Sequence, residues 1–105
     1  MQTYDEDIHK LRKNIASGKS VCVQFSASWC GPCKRITPEI KNLAIKMPHI
    51  TFFYVDVDKC PEISSEQGFS ISQLPTFVFC KGGNEVVQRV TGANLNAVCE
   101  ALTSL

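Results

Sequence analysis

The stretch VCVQFSASWCGPCK occupies residues 21–34 and decides the fold expected for the whole chain. Its first part, from Val21 to Phe25, is almost continuously apolar, a pattern typical of a strand buried on both faces of a parallel sheet. A helical pattern begins at Cys33, so Cys30 and Cys33 are predicted at a strand-to-helix junction. There, a Cys-x-x-Cys spacing places two thiols within disulfide reach on the first helical turn.

Helical spacing of apolar residues continues on both sides of this stretch. Residues 5–17 are predicted as an amphipathic helix with Asp5 as its N-cap and Gly18 as its stop signal. Residues 33–47 form the next predicted helix, which Pro38 is expected to kink. Two further helices are predicted: a short one over residues 61–67 that stops at Gly68, and a C-terminal one that Asn94 caps.

The strand patterns complete the expected fold. Residues 51–57 form a second apolar run, and the strands 76–80 and 85–90 are joined by Gly82-Gly83-Asn84, a hairpin signal. Any strand before residue 5 would be short and at a sheet edge. This order predicts an α/β fold with a central mixed sheet, made of parallel strands plus a C-terminal antiparallel hairpin and flanked by helices on both faces. The length suits a single domain over residues 1–105.

Composition excludes several classes of function. The net charge is +1 with histidine neutral, which gives no reason to expect a nucleic-acid partner. No apolar run is long enough to span a bilayer, so no membrane partner is expected. The acidic start, residues 1–7, resembles neither a signal peptide nor a mitochondrial presequence. We therefore expect a cytoplasmic protein, and a monomer.

Six cysteines in a short chain raise the alternative of a disulfide scaffold. Because no secretion signal accompanies them and apolar residues suffice for a core, a reduced, cytosolic setting fits better. Cys60, in a predicted turn, is expected to be the most exposed cysteine outside the motif and a candidate for oxidation. Three others fall on predicted strands or helices, where buried cysteine is commonly a small apolar residue: Cys22, Cys80 and Cys99.

The predicted position of the cysteine pair indicates its chemistry. Unpaired backbone N–H groups at a helix N-terminus stabilise a thiolate at Cys30, an interaction worth about 1 kcal/mol. Lys34 and Arg35 add positive potential nearby, and Pro32 stiffens the turn. Cys30 is therefore predicted to attack a disulfide as an exposed thiolate, and the more buried Cys33 to attack the mixed disulfide that results.

Trp29 and the cysteine pair each admit a second interpretation. Trp29 offers a flat apolar surface beside the predicted nucleophile, which favours substrate contact over a half-buried core tryptophan. Half a zinc site is the competing interpretation of the cysteine pair. Zinc needs four ligands, yet the remaining cysteines are isolated and His9 and His49 have no partner at ligand spacing. We therefore expect no metal.

The chain resembles the thioredoxin family over essentially its whole length. Residues 23–34 look like the active-site block of that family, and residues 55–58 look like the end of its central strand. Leu74-Pro75-Thr76-Phe77 resembles the second hallmark of the family, and Gly92-Ala93 resembles the loop that closes its substrate groove. The joint presence of CGPC and the later Pro-Thr-Phe makes the resemblance specific.

This resemblance implies a general protein-disulfide reductant with Cys30 and Cys33 as catalytic residues. It implies a cis bond before Pro75 and a substrate strand that hydrogen-bonds the backbone of Leu74. No bound cofactor is implied beyond the redox-active disulfide, with electrons supplied by NADPH through thioredoxin reductase. Implied partners are disulfide-containing proteins such as peroxiredoxins, ribonucleotide reductase and methionine sulfoxide reductase. The implied substrate-binding residues are Trp29, Gly31, Pro32, Leu74, Pro75, Gly92 and Ala93.

Gln24 departs from the family pattern, which usually has a buried aspartate there, thought to help deprotonate the resolving cysteine. Glutamine cannot take a proton at neutral pH, and Tyr54 stands where many members have Lys or Glu. Loss of the buried charge would favour a thiolate at Cys30 but remove a general base for Cys33. The alternative is that Gln24 simply hydrogen-bonds inside the core at little cost in rate.

A redox-gated binding module is the competing function. In it, the chain would grip a partner through the surface around Trp29, Pro75 and Gly92, and the cysteine pair would act as a switch. The residue that favours this alternative is Gln24, because it weakens the case for rapid turnover. Catalytic turnover with NADPH and thioredoxin reductase discriminates between the two functions.

Overall fold

Within the described residues, helices and strands follow one another in the predicted order, except that two short strands stand in place of the last predicted strand. The structure, a computed structural model, describes residues 7–62 and 69–105. Its helices are α1 (Ile8–Ala16), α2 (Gly31–Lys46) and α3 (Leu95–Thr103), and its strands are β1 (Val21–Ser26), β2 (Thr51–Asp56), β3 (Thr76–Lys81), β4 (Asn84–Glu85) and β5 (Val90–Thr91).

The sheet is built around β1, which pairs with β2 on one side and β3 on the other. β1 and β2 run parallel, with Val21 opposite Thr51 and Ser26 opposite Asp56. β1 and β3 run antiparallel, and β4 and β5 both pair with β3. These pairings confirm the predicted mixed sheet. Since β1 has a strand on each side and helices on both faces, its residues are all buried.

Two apolar clusters cover the two faces of the sheet, because successive side chains of a strand point to opposite faces. α1 packs on one face through Leu11, and α2 and α3 pack on the other. Full burial of one phenylalanine side chain stabilises the fold by roughly 1.5–3 kcal/mol. The cluster under α1 includes Val23, Phe25, Phe53, Val55 and Val78. The cluster under α2 and α3 includes Cys22, Ile36, Ile40, Phe52, Phe77, Phe79, Val98 and Leu102.

The N-cap of α1 is Asp7, so the prediction of Asp5 is wrong. Oδ1 of Asp7 accepts hydrogen bonds from the backbone N–H groups of His9, at 3.0 Å, and Lys10, at 3.2 Å. An apolar stripe does not distinguish two aspartates two residues apart, whereas the cap must sit where its carboxylate reaches the free N–H groups of the first turn. Asn94 caps α3 as predicted.

The strand predicted over residues 85–90 is wrong as one continuous element. The chain pairs with β3 at β4, leaves the sheet, and returns at β5. Between them, Arg89 forms a two-pronged ion pair with Glu85, whose shorter contact is 2.8 Å, and donates to the Phe69 carbonyl at 2.6 Å. Residues four apart on an extended strand are about 13 Å apart. The Glu85–Arg89 ion pair spans the segment that leaves the sheet between β4 and β5.

Some predictions fall outside the described residues. These are the short edge strand before residue 5 and the greater part of the helix over residues 61–67, of which Pro61 and Glu62 are described and helical. Pro38 lies within α2, which continues past it to Lys46, and the kink stays a prediction.

None of the helices in residues 7–62 and 69–105 combines the length and the apolar character needed to cross a bilayer. α2 has 16 residues and carries exposed lysines along its outer face.

Removal of the α3 cap provides a test of this fold. Oδ1 of Asn94 accepts a hydrogen bond from the Ala97 backbone N–H at 3.1 Å. Asn94→Ala is expected to lower the free energy of unfolding by about 1 kcal/mol, because that donor loses its partner. Asn96→Ala is the matched control, since Asn96 is exposed within the same helix. Urea unfolding followed by circular dichroism measures both, and equal losses in the two variants would contradict the cap assignment.

Candidate active site

Cys30 and Cys33 form a disulfide at the first turn of α2, with their Cα atoms 5.2 Å apart. Cys30 is the N-cap residue of α2, and its Sγ accepts a hydrogen bond from the Cys33 backbone N–H at 3.3 Å. Pro32 lies in the first turn, where its missing N–H costs no helical hydrogen bond. The predicted strand-to-helix placement of the pair is therefore confirmed.

Both cysteines are more covered than an exposed nucleophile suggests. Cys30 is 5% exposed and Cys33 is 1% exposed. Cys30 is more exposed than Cys33, as expected, but the prediction of an exposed Cys30 thiol is wrong. The two cysteines form a small cluster with Ala27, against which Val57 and Leu74 pack. These neighbours come from separate loops, so the sequence around the motif does not reveal how much of Cys30 they cover.

Trp29 is 67% exposed, which excludes the interpretation as a half-buried core residue. Its indole Nε1–H donates to Asp58 Oδ2 at 2.7 Å, so one edge of the ring is tethered. Asp58 is held in turn by its backbone N–H, which donates to Asp56 Oδ1 at 2.9 Å. Sequence reasoning assigned no role to Asp58. The available signal was the parallel pairing of β1 and β2, which brings the segments after both strands to one sheet edge.

The loop before β3 and the loop after β5 meet at this same edge. The Leu74–Pro75 peptide bond is cis, as the resemblance implies. The Gly92 backbone N–H donates to the Pro75 carbonyl at 2.7 Å, with Gly92 at a φ of 87°, a conformation that favours glycine. Leu74 packs against the cysteine cluster, and Ala93 is exposed. Of the residues that the resemblance groups around the cysteines, Leu74 packs against them, and Gly92 is hydrogen-bonded to Pro75 in the adjoining loop.

Gln24 lies fully buried on β1, on the face that α2 covers. Its Nε2 donates to Ser26 Oγ at 2.7 Å and to Thr37 Oγ1 at 3.0 Å. Thr37 Oγ1 donates to the Cys33 carbonyl at 2.6 Å. A continuous set of hydrogen bonds thus links the buried amide to the backbone of the second cysteine. Tyr54 and Phe77 are the neighbours of Gln24 across the sheet.

The remaining residues of the motif face outward. Gly31, Pro32 and Lys34 are all exposed, and the Lys34 backbone N–H donates to the Cys30 carbonyl at 3.1 Å. The side chain of Lys34 therefore adds its charge from the solvent side of the first helical turn, where water screens it.

The cysteines outside the motif divide into two pairs. Cys22 and Cys80 are buried, whereas Cys60 and Cys99 are partly exposed. Burial raises the pKa of the Cys22 thiol, and burial followed by the Glu85 carboxylate raises the pKa of Cys80 to about 11. Since the thiolate is the reactive form, Cys22 and Cys80 are inert core residues near neutral pH.

Metal ligands do not converge in the part of the chain that the structure describes. No three side chains of His, Cys, Asp or Glu within residues 7–62 and 69–105 are grouped so that they would hold a metal ion.

Comparison with known proteins points to one family. A family model described as thioredoxin matches residues 2–104. The H-type thioredoxin of Fagopyrum esculentum is 44% identical over 91 residues, which cover 87% of this chain and 76% of that protein. Fasciola hepatica thioredoxin superposes with a TM-score of 0.83 at 38% identity, covering 99% of this chain and 98% of that one. A further match comes from a structural study of thiol resolution in yeast mitochondrial 1-Cys peroxiredoxin via glutathione and thioredoxin systems. That chain superposes with a TM-score of 0.83 at 28% identity, and the match covers 99% of this chain and 95% of that one.

The hydrogen bonds beneath Cys33 provide a stability test. Thr37→Val removes the hydroxyl that accepts from Gln24 and donates to the Cys33 carbonyl. Loss of a partner for a buried polar group costs about 1–3 kcal/mol, so a decrease of that size in the free energy of unfolding is expected. Thr37→Ser keeps the hydroxyl and is expected to lose clearly less. Urea unfolding of the oxidised protein measures both variants, and a Thr37→Val protein as stable as wild type would contradict the role of the hydroxyl.

Proposed function

Since this chain belongs to the thioredoxin family, we propose that Cys30 and Cys33 carry the dithiol–disulfide exchange by which it reduces protein disulfides. The chain is a thiol–disulfide oxidoreductase of the protein-disulfide reductase class. One observation carries the residue assignment: the Cys30–Cys33 disulfide lies at the first turn of α2, with a backbone N–H directed at Cys30 Sγ. Residues 1–105 act in this role as one domain.

Cys30 performs the first step as a thiolate. It attacks one sulfur of the substrate disulfide, so that a Cys30–substrate S–S bond forms and the substrate S–S bond breaks. The departing substrate sulfur takes up a proton and becomes a thiol. The Cys33 N–H and the N-terminus of α2 stabilise the negative charge on Cys30 before the attack. The greater exposure of Cys30 than of Cys33 supports this order of roles.

Cys33 performs the second step. After losing its proton it attacks Cys30 Sγ in the mixed disulfide, and the second substrate sulfur leaves and is protonated. Two electrons and two protons have then passed from the protein dithiol to the substrate disulfide, and the Cys30–Cys33 bond has formed. The Cys33 backbone is anchored through Thr37 and Gln24, which keeps the resolving sulfur one helical turn from its target.

The substrate chain lies between Trp29 and the two loops that meet at Pro75 and Gly92. The exposed indole contributes apolar contact, and the loop at Leu74 offers backbone groups to an extended strand. The proposed contact residues are Trp29, Gly31, Pro32, Leu74, Pro75, Gly92 and Ala93. The hydrogen bond from Gly92 to the Pro75 carbonyl supports this grouping, since it holds the two loops together.

Re-reduction of the Cys30–Cys33 disulfide comes from NADPH through thioredoxin reductase, and the protein acts as a monomer in the cytoplasm. Disulfide-containing proteins are its partners, with peroxiredoxins supported by the structural neighbour from work on a 1-Cys peroxiredoxin. Ribonucleotide reductase and methionine sulfoxide reductase are further candidates of the same chemical kind.

A trapping experiment tests the roles of the two cysteines. Cys33→Ser is expected to accumulate a mixed disulfide through Cys30, because the second attack is lost, and mass spectrometry detects the adduct. Cys30→Ser is expected to form no adduct at the site, and both variants are expected to lose NADPH-coupled turnover with thioredoxin reductase. The double variant controls for adducts at Cys60 and Cys99. A wild-type protein without turnover, whose partner binding nevertheless changes on reduction, would favour the redox-gated binding module instead.

Gln24→Asp tests whether resolution is slow for lack of a general base. If it is, the variant is expected to reduce insulin faster than wild type, since general-base assistance is worth about 10²-fold where it operates. Gln24→Asn is the matched control, because it has the shape of aspartate without the charge. Insulin reduction is followed from about pH 6 to 9, a range that spans ordinary thiol titration. Equal rates for the two variants across that range would contradict slow resolution.

A further inference from the structure

Arg35 lies over the cysteine motif. A β-carbon placed on Gly31 would be 3.8 Å from Nη1 of Arg35, so the guanidinium packs beside this glycine. The helix geometry explains the position, since residues four apart share a face and side chains lean towards the helix N-terminus. Because Gly31 directly follows Cys30, the guanidinium charge lies beside the residue next to the proposed nucleophile.

This charge is available to a ligand. Arg35 is exposed, and its guanidinium has no hydrogen-bond or ion-pair partner among the described residues. Glu39 lies one turn further along the same face of α2, but no ion pair joins it to Arg35, whose side chain extends the other way towards Gly31. Arg35 therefore differs from Arg89, whose guanidinium is engaged by Glu85 and the Phe69 carbonyl.

The charged side chains within the motif and directly after it are positive. Lys34 and Arg35 are both exposed, and Asp58, which follows β2, accepts the indole N–H of Trp29. The N-terminus of α2 adds its partial positive charge. The part of the groove formed by Pro75, Gly92 and Ala93 carries no charged side chain. The charged side chains in the first five residues of α2 are therefore those of Lys34 and Arg35, and both are positive.

We propose that Arg35 is a specificity-determining residue, which favours substrate disulfides that carry a carboxylate beside the attacked cysteine. The planar guanidinium binds a carboxylate with two parallel hydrogen bonds, a geometry that lysine cannot reproduce. A Glu or Asp next to the substrate cysteine lies within reach of the guanidinium while the sulfur is at Cys30. The substrate class is therefore acidic disulfide segments. This proposal rests on the proposed role of Cys30 as the attacking residue.

Three synthetic peptides with the same intrapeptide disulfide test this preference. One cysteine of each peptide is flanked by Glu in the first, Gln in the second and Lys in the third. The protein is first reduced with dithiothreitol, which is then removed. Single-turnover oxidation of the protein is followed through the fluorescence of Trp29, the one tryptophan of the chain. Wild type is expected to reduce the Glu peptide about two- to fivefold faster than the Gln peptide, the factor that an exposed ion pair supplies, and the Lys peptide more slowly.

Variants isolate the contribution of Arg35. Arg35→Gln is expected to bring the Glu-to-Gln rate ratio close to one, and Arg35→Lys to keep part of the preference. Lys41→Gln is the matched control, since it removes one positive charge from an exposed position further along α2 and is expected to keep the wild-type ratio.

The rate ratio also separates substrate recognition from the reactivity of Cys30, because a changed Cys30 nucleophile would alter the rates of the three peptides by a common factor. Salt at 0.5 M is expected to bring the wild-type Glu-to-Gln rate ratio closer to one, because it screens the charge of the guanidinium.

Two results would overturn the proposal while leaving the proposed function intact. In the first, Arg35→Gln retains the wild-type ratio of Glu to Gln rates. In the second, Lys41→Gln loses as much of that ratio as Arg35→Gln, which would assign the preference to overall charge. A wild-type protein that reduces none of the three peptides would overturn the proposed function, and this proposal with it.

Discussion

The parallel hydrogen-bonded pairing of β1 with β2 is the constraint on which the rest of the structure depends. It brings the carboxyl ends of the two strands to one edge of the sheet, where Trp29, Cys30 and Asp58 follow. Antiparallel pairing of β1 with β3 then places the start of β3, and the cis Pro75 before it, at the same edge. Three segments distant in sequence therefore meet at the first turn of α2, so the redox site is a direct consequence of the strand directions.

The site is also tied to the core beneath it. Gln24 is polar yet fully buried, a position that is stable only because its amide is hydrogen-bonded. Its partners connect it to the Cys33 carbonyl through Thr37. In the described part of the chain, no buried side-chain nitrogen or oxygen lacks a hydrogen-bond partner. The backbone of Cys33 is thus held by the same interactions that make a polar residue tolerable in the core.

The two cysteines are largely covered, whereas residues close to them in sequence are exposed. Neighbours from the segments after β1 and β2 and from the loop before β3 leave little of the two cysteines open, whereas Trp29, Gly31 and Arg35, close to them in sequence, are exposed. In the proposed function, substrate recognition takes place at this exposed surface, where apolar and charged contacts are available. The proposed reaction takes place at the covered cysteines, where the N-terminus of α2 acts on Cys30 with less screening by water.

The sequence alone determined the layered α/β fold, the position of Cys30 and Cys33 at a helix start, and Asn94 as a cap, because each depends on local patterns of apolar and capping residues. It did not determine that Asp7 caps α1, or that the chain leaves the sheet between β4 and β5, since these depend on which N–H groups and strand partners lie within reach. Only the tertiary structure decided the coverage of Cys30 and the Asp58 contact to Trp29. Each of these is a contact between side chains or segments, and its geometry is set by how the strands and the first turn of α2 are arranged in space.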